Sequence, residues 1–306
     1  MTDPFEDPRV YASDRDLILL QHHTQALSFL PRQPIQSLLS GRHASRVRGR
    51  GLNFEELRVY QPGDDVRTID WKVTARTRTA YTRVFTEERD RPVLMLVDQR
   101  IGMFFGTQRY MKSVLASQLA ALTAWRVLEQ GDRIGAIVFS DDSSDFFVPR
   151  RSRHCVTEIL RSVVRRNREL SANSRVHANA AAFARVIEQA SRLATHDYLV
   201  VIISDFNGID ELCMRHLTRI ASHNDLIGLV VYDPSASDFR ARQQITVSDG
   251  EWQLGISDSK QAQRITKATA NRLESVLSLQ HKLQAPMLPI NTADEVLPQL
   301  RRLMGC

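Results

Sequence analysis

Residues 53–98 read NFEELRVYQPGDDVRTIDWKVTARTRTAYTRVFTEERDRPVLMLVD, and they divide into a polar, turn-punctuated part and an apolar run, Val93 to Val97, that ends on Asp98. Consecutive apolar residues without alternation suit a central strand buried on both faces of a parallel sheet. Pro62-Gly63-Asp64-Asp65 reads as a turn: proline presets φ, glycine supplies a positive φ, and an aspartate side chain bonds back to nearby amides. Phe54, Leu57, Val59 and Tyr60 before it look strand-like, and Val66, Ile69 and Trp71 follow it in a short apolar rhythm. Arg58, Arg67 and Arg76 interleave with Asp64, Asp65 and Asp70. A guanidinium can grip a carboxylate with two donors, so this density of charge reads as an ordered scaffold.

Downstream of Asp98 the chain alternates. Helices are predicted over Gln108–Gln130, Ser152–Arg166, His177–Leu193 and Asp210–Ala221, and strands over Ile134–Phe139, Tyr198–Ile203 and Leu226–Tyr232. Asp141–Pro149 reads as a small hairpin or loop. Such alternation predicts an α/β fold with a doubly wound, mainly parallel sheet. Beyond Asp233 a hairpin around Asp249-Gly250, a helix over Gln261–Leu283, a strand over Met287–Ile290 and a helix over Glu295–Met304 complete the chain. Upstream, Asp14–Leu30 is predicted as a helix ended by Pro31 and Pro34, and Gly41–Gly51 as a loop carrying Arg42, Arg46, Arg48 and Arg50. The domain division is residues 1–90, with the N-terminal helix, basic loop and β-rich signature segment, and residues 91–306, the sheet.

A length of 306 residues, 42% hydrophobic and 25% charged, suits a soluble globular chain, and no apolar run reaches the length of a membrane span. The acidic, polar start MTDPFEDPRV is unlike a signal peptide, so a cytoplasmic location is expected. Cys155, Cys213 and Cys306 are scattered and odd in number, which fits neither a disulfide framework nor a zinc spacing. The net charge of +6 permits acidic or nucleic-acid partners. His22-His23 read as surface or packing residues.

The segment LRVYQPGDDVRTIDWKVTAR, with the strand ending in Asp98, resembles the bacterial family called domain of unknown function 58. The resemblance implies a von Willebrand factor A-like domain and an association with MoxR-type AAA+ ATPases. It also implies a metal-ion-dependent adhesion site: Asp-x-Ser-x-Ser on the first strand, a threonine on a later loop and an aspartate at a later strand end. Compact oxygen ligands of this kind suit the tight octahedral demands of Mg²⁺. Asp98-Gln99-Arg100-Ile101-Gly102 keeps the first aspartate but puts Arg100 and Gly102 in the serine positions. Ser174-Arg175-Val176-His177-Ala178-Asn179 has no threonine, while Asp205 matches the later aspartate. The expectation is a degenerate, metal-free pocket in which Arg100 neutralises Asp98 and Asp205, with Asp98, Arg100, His177 and Asp205 forming a partner-binding face. The alternative keeps Mg²⁺ on Asp98, Asp205 and water, with Arg100 turned outward.

Phosphate-binding, dinucleotide and nucleophile-elbow motifs are absent from the sequence. Asp141-Asp142, Asp145 and Asp64-Asp65 are the carboxylates available for acid–base work, with no spacing that fixes a pair. The function expected is a non-enzymatic interaction module, adaptor or regulator of a MoxR-type AAA+ ATPase. The alternatives are nucleic-acid binding through Arg42–Arg50 and, further off, a metal-dependent hydrolase.

Overall fold

Five strands run parallel through the sheet whose middle is the Val93–Val97 run, and a sixth closes one edge antiparallel. The computed structural model describes residues 5, 7–24, 52–87, 91–172, 178–234, 245–248, 253–256 and 259–304. In chain order the helices and strands are α1 (Asp14–Leu19), β1 (Leu52–Val59), α2 (Trp71–Thr77), β2 (Tyr81–Glu87), β3 (Pro92–Asp98) and α3 (Lys112–Glu129). There follow β4 (Arg133–Phe139), β5 (Ser144–Arg150), α4 (Arg153–Glu169), α5 (Ala180–Leu193), β6 (Leu199–Ser204), α6 (Glu211–His223) and β7 (Asp225–Tyr232). The last are β8 (Ile245–Ser248), β9 (Gln253–Ile256), α7 (Ser259–Leu283), β10 (Met287–Asn291) and α8 (Val296–Met304).

The chain forms two compact units, Met1–Ile35 with Arg91–Cys306, and Gln36–Asp90. The larger holds the sheet in the order β10-β7-β6-β3-β4-β5. Every residue of β3 from Val93 to Asp98 is buried, and alternate side chains enter two separate cores. Val93, Met95 and Val97 pack with α1, α3, α4 and α8, whereas Leu94 and Leu96 pack with α5, α6 and α7. Helices on both faces make the sheet doubly wound, and each such core side chain contributes roughly 1.5–3 kcal/mol of transfer free energy. Chain order reverses between β3 and β6, which places a switch point beyond their carboxyl ends.

Two local features set element ends. The helix predicted from Gln108 begins at Lys112, because the preceding residues tie to other loops: Thr107 N donates to Asp233 Oδ2 (2.8 Å), Tyr110 N to Thr292 O (3.2 Å) and Met111 N to Arg9 O (2.9 Å). The segment Asp141–Pro149, open between hairpin and loop, forms the antiparallel edge strand β5. Its ladder shifts register beside Gly135, where a Cβ would meet Phe147 O at 2.5 Å, so only glycine lets β5 approach so closely.

The domain division placed the N-terminal helix with the signature segment; α1 instead belongs to the sheet unit. Leu17 is 1% exposed, and its carbonyl accepts from Trp125 Nε1 at 3.0 Å. The helix proper ends at Leu19 and continues as a 3₁₀ turn over Leu20–His23, with His22 and His23 exposed; its predicted extension to Leu30 lies outside the described residues.

In the smaller unit β1 and β2 pair antiparallel, and the turn between β1 and α2 is built as its residue types require. Gly63 has φ +104°, Asp64 accepts from Gln61 N (2.9 Å) and Arg58 (2.7 Å), and Asp65 accepts from Arg67 N (3.0 Å). Asp70 caps α2 through Lys72 N and Val73 N and takes Arg83 Nε at 2.9 Å. These bonds, with the Val73 amide foremost, lower its carboxyl below the ordinary range.

Candidate functional site

Asp98 closes β3, and Ser204-Asp205 closes the neighbouring β6, so the parallel register alone brings their side chains to one end of the sheet. Arg100 lies two residues beyond Asp98 and folds back on it. Its backbone N and Nε donate to Asp98 Oδ1 at 3.0 Å each, and Nη2 donates to Oδ2 at 2.7 Å. Ser204 Oγ adds a fourth donor at 2.6 Å. The guanidinium then lies 3.7 Å from Asp205 Oδ1, whose other oxygen takes Lys112 Nζ at 2.6 Å. Phe183 and Phe139 flank the guanidinium, their centroids 5.2 and 5.8 Å from Cζ. Asp98 is 0% and Arg100 5% exposed.

Two carboxylates and two cations therefore balance inside the protein. Burial alone would raise the Asp205 carboxyl, but Lys112 and then Arg100 overcome it and bring the value down to about 2. Burial also works against the charge of Arg100, and Asp98 more than offsets it, so the guanidinium is held charged. Asp141, just beyond β4, accepts from Ile101 N (2.6 Å) and Asn179 N (2.8 Å) and so ties the loop after β3 to the start of α5. Burial is the main cause that pushes its carboxyl upward. Behind the cluster, Gln99 donates to Ser113 O and Ser117 Oγ and accepts from Asn167 Nδ2. Asn167 in turn accepts from Ala12 N at 2.7 Å, which joins the N-terminal segment to the end of β3.

A divalent cation does not fit this donor set. The Asp98 oxygens already accept from the guanidinium and Ser204, Arg100 and Gly102 supply no hydroxyl, and Lys112 covers the outer oxygen of Asp205. Arg100 points inward rather than away, opposite to the alternative that leaves room for Mg²⁺. Among the described residues no group of three or more His, Cys, Asp or Glu stands where it could hold a metal ion.

The structure brings Asp98, Arg100 and Asp205 together, with Gly102 exposed at the rim, while His177 lies outside the described residues. It also corrects the role expected of the first two. Buried and bonded to each other, Asp98 and Arg100 cannot offer their charges to a partner, and the exposed residues of the segments that follow β3, β4 and β6 include Gly102, Asp142 and Asn207. Sequence reasoning missed Lys112 and Ser204. Ser204 stood visible beside Asp205, whereas Lys112 approaches from another element and nothing in its local sequence marks it.

Of the other carboxylates considered for acid–base chemistry, Asp142 is exposed and the rest are committed elsewhere. Asp141 holds backbone amides, Asp145 takes Ser162, Arg165 and Arg166, and Asp64 and Asp65 stabilise their own turn. In the signature segment Arg58 pairs with Asp64, Tyr60 N bonds Ala80 O, and Arg67, Trp71 and Arg76 are exposed. Cys155 and Cys213 are buried free thiols, and burial pushes Cys213 up to about 12, away from reactivity. Cys306 and Arg42–Arg50 lie outside the described residues.

Residues 56–275 match the family described as "Protein of unknown function DUF58". This chain belongs to that family. The matched span of the DUF58 protein runs from β1 into α7, so it includes the signature turn and every residue of the salt cluster. Similar proteins include the uncharacterized protein Mb1516 of Mycobacterium bovis and the uncharacterized protein Rv1480 of Mycobacterium tuberculosis. Each is 27% identical over 302 residues, covering 97% of this chain and 93% of the relative. Among solved structures, conserved hypothetical protein BatB of Bacteroides thetaiotaomicron is similar with a TM-score of 0.42 and 12% identity, over 71% of this chain and 100% of that one.

Proposed function

We propose that this DUF58 protein is a non-enzymatic protein-interaction module of von Willebrand factor A type, acting as adaptor or regulator of a MoxR-type AAA+ ATPase. The partner class comes from the family resemblance of the signature segment. The mode of binding comes from one observation: the Arg100 guanidinium, bonded to Asp98 and close to Asp205, occupies the place where a bridging cation would stand. An internal cation fixes the ends of β3 and β6 without help from solution, so a partner reads the rim of Gly102, Asp142 and Asn207 directly. The reading is non-catalytic: Asp141, Asp145 and Asp64 are spent on amides, a hydroxyl or arginines, and Asp142 belongs to the rim that a partner reads.

The test is capture from nuclease-treated lysate of the native host on the purified, immobilised protein, with and without ATP. A MoxR-type ATPase recovered in a nucleotide-dependent way, and lost from an Asp142→Lys, Asn207→Lys variant, is the expected result. Recovery of no such ATPase removes the adaptor reading. Stoichiometric Mg²⁺ binding by the purified protein, read by titration calorimetry, removes the metal-free mode.

A further inference from the structure

A second surface lies at the opposite margin of the β4 side of the sheet. β5 is the last strand in the order, and among the described residues no strand pairs with its outer edge. Its residues alternate in exposure along the whole length. Phe146 (38% exposed) and Val148 (54%) point to one side, while Asp145, Phe147 and Pro149 turn to the other. Between the strand and α4 runs an open groove of about 640 Å³, lined by Ser144, Asp145, Phe147, Glu158, Arg161 and Arg165 among others.

The stretch of chain that builds this margin is positive on balance, although Glu158 stands exposed in the groove with Arg161. Residues 144–169 contain seven arginines and no lysine against three carboxylates, a net of +4 in a chain whose total is +6. One of the carboxylates, Asp145, is already neutralised by Arg166 Nε at 3.0 Å, by Arg165 and by Ser162 Oγ at 2.6 Å. Arg161 and Arg150 remain exposed beside the groove and at the end of the strand.

We propose that the β5 edge binds an acidic, extended protein segment as an added strand. An open edge offers backbone donors and acceptors to another chain, and side chains of the added strand alternate between its two faces. One face of such a strand meets Arg161 and Arg165, and the other lies beside Phe146 and Val148. The recognised sequence therefore alternates acidic with apolar residues. Pro149 has no N–H and Val148 O accepts from Cys155 Sγ at 3.9 Å, which confines the open edge to Ser144–Phe147 and limits the segment to a short one. A single-stranded nucleic acid could use the arginines and stack a base on Phe146, but it has no backbone ladder to give the edge. This surface is separate from the strand-end cluster and does not rest on the ATPase reading.

The test uses the full chain and a fluorescein-labelled synthetic peptide, Glu-Val-Glu-Phe-Glu-Val-Glu, read by fluorescence anisotropy. Saturable binding is expected, weakened about tenfold or more by Arg161→Glu and equally by N-methylation of alternate peptide amides, which leaves the protein untouched. Phe146→Glu should weaken it further. Failure of the peptide to bind overturns the proposal, and so does an affinity indifferent to either Arg161→Glu or N-methylation. A single-stranded oligonucleotide that binds in an Arg161-dependent way and excludes the peptide would assign the surface to nucleic acid and overturn it as well.

Discussion

The strand-end cluster and the β5 margin are made of the same two side chains, arginine and aspartate, and they do opposite things. At the end of β3, Arg100 and Asp98 are both buried, the guanidinium lies over two aromatic rings, and the pair is matched in number by Asp205 and Lys112. At the β5 margin, Asp145 gathers more cationic partners than it needs, and other arginines are left facing water. The difference is dielectric. Inside, an unmatched charge costs several kcal/mol, so every ion is paired and none is available; outside, an unmatched charge costs little and is free to recognise something. An arginine in such a fold is thus a counter-ion or a contact according to its burial.

The sharpest break of this comparison is removal of the buried guanidinium. Arg100→Ala leaves Asp98 in the core with only Ser204 Oγ and the backbone N–H of residue 100 as donors, and stability should fall by about 3–5 kcal/mol. Replacing both partners with apolar residues, Asp98→Leu with Arg100→Met, should cost much less than the single change, because no charge is stranded. Urea unfolding of the two variants checks this. If the single and double variants are equally destabilised, the pair is not a charge lock.

Acid titration tests the same cluster from its second carboxylate. The Asp205 pKa is lowered in the folded state, from 3.8 to about 2. Its contribution is therefore fully present above the unfolded value and is lost as pH falls through the folded one. Relative to Asp205→Asn, the native chain should lose on the order of 2 kcal/mol between about pH 5 and about pH 2. Asp141 works the other way, since its carboxyl is raised and protonation relieves its burial. The comparison with the variant isolates Asp205 from that opposing trend. A stability difference that stays constant across the range would exclude a paired Asp205.

Much of this arrangement is legible in the sequence, and the rest is not for identifiable reasons. The apolar run ending in Asp98 and the later Leu199–Ser204 run mark adjacent strands of a parallel sheet, so the convergence of Asp98 and Asp205 follows from topology. Gly63 and Asp64 likewise announce their turn by residue type. Direction and depth are not written in that way. Arg100 sits on a loop, where sequence gives no sign that Phe139 and Phe183 enclose it. Lys112 joins the cluster because the tether of Tyr110 and Met111 to distant backbone sets where α3 begins, which is tertiary information. The β5 edge was hidden for a related reason: Asp141–Pro149 has the polarity of a loop, and it becomes a strand only because Gly135 lets it dock on β4.

The smallest expected effect is the most discriminating, because it separates two arginines five residues apart on one helix. Arg166 is 4% exposed, and its guanidinium bonds Asp145, Ser140 and Ser143, so it pins the β4–β5 connection to α4. Arg166→Ala should cost about 1.5–3 kcal/mol, the range for charge-assisted hydrogen bonds lost from a buried site. Arg161, on the exposed side of α4, should change stability by no more than about 0.5 kcal/mol when replaced by alanine. Urea midpoints of the two variants, measured side by side, give the comparison directly. Equal destabilisation would mean that Arg161 is a structural residue like Arg166, and the exposed β5 margin would lose the cation that sets it apart from the sealed cluster at the end of β3.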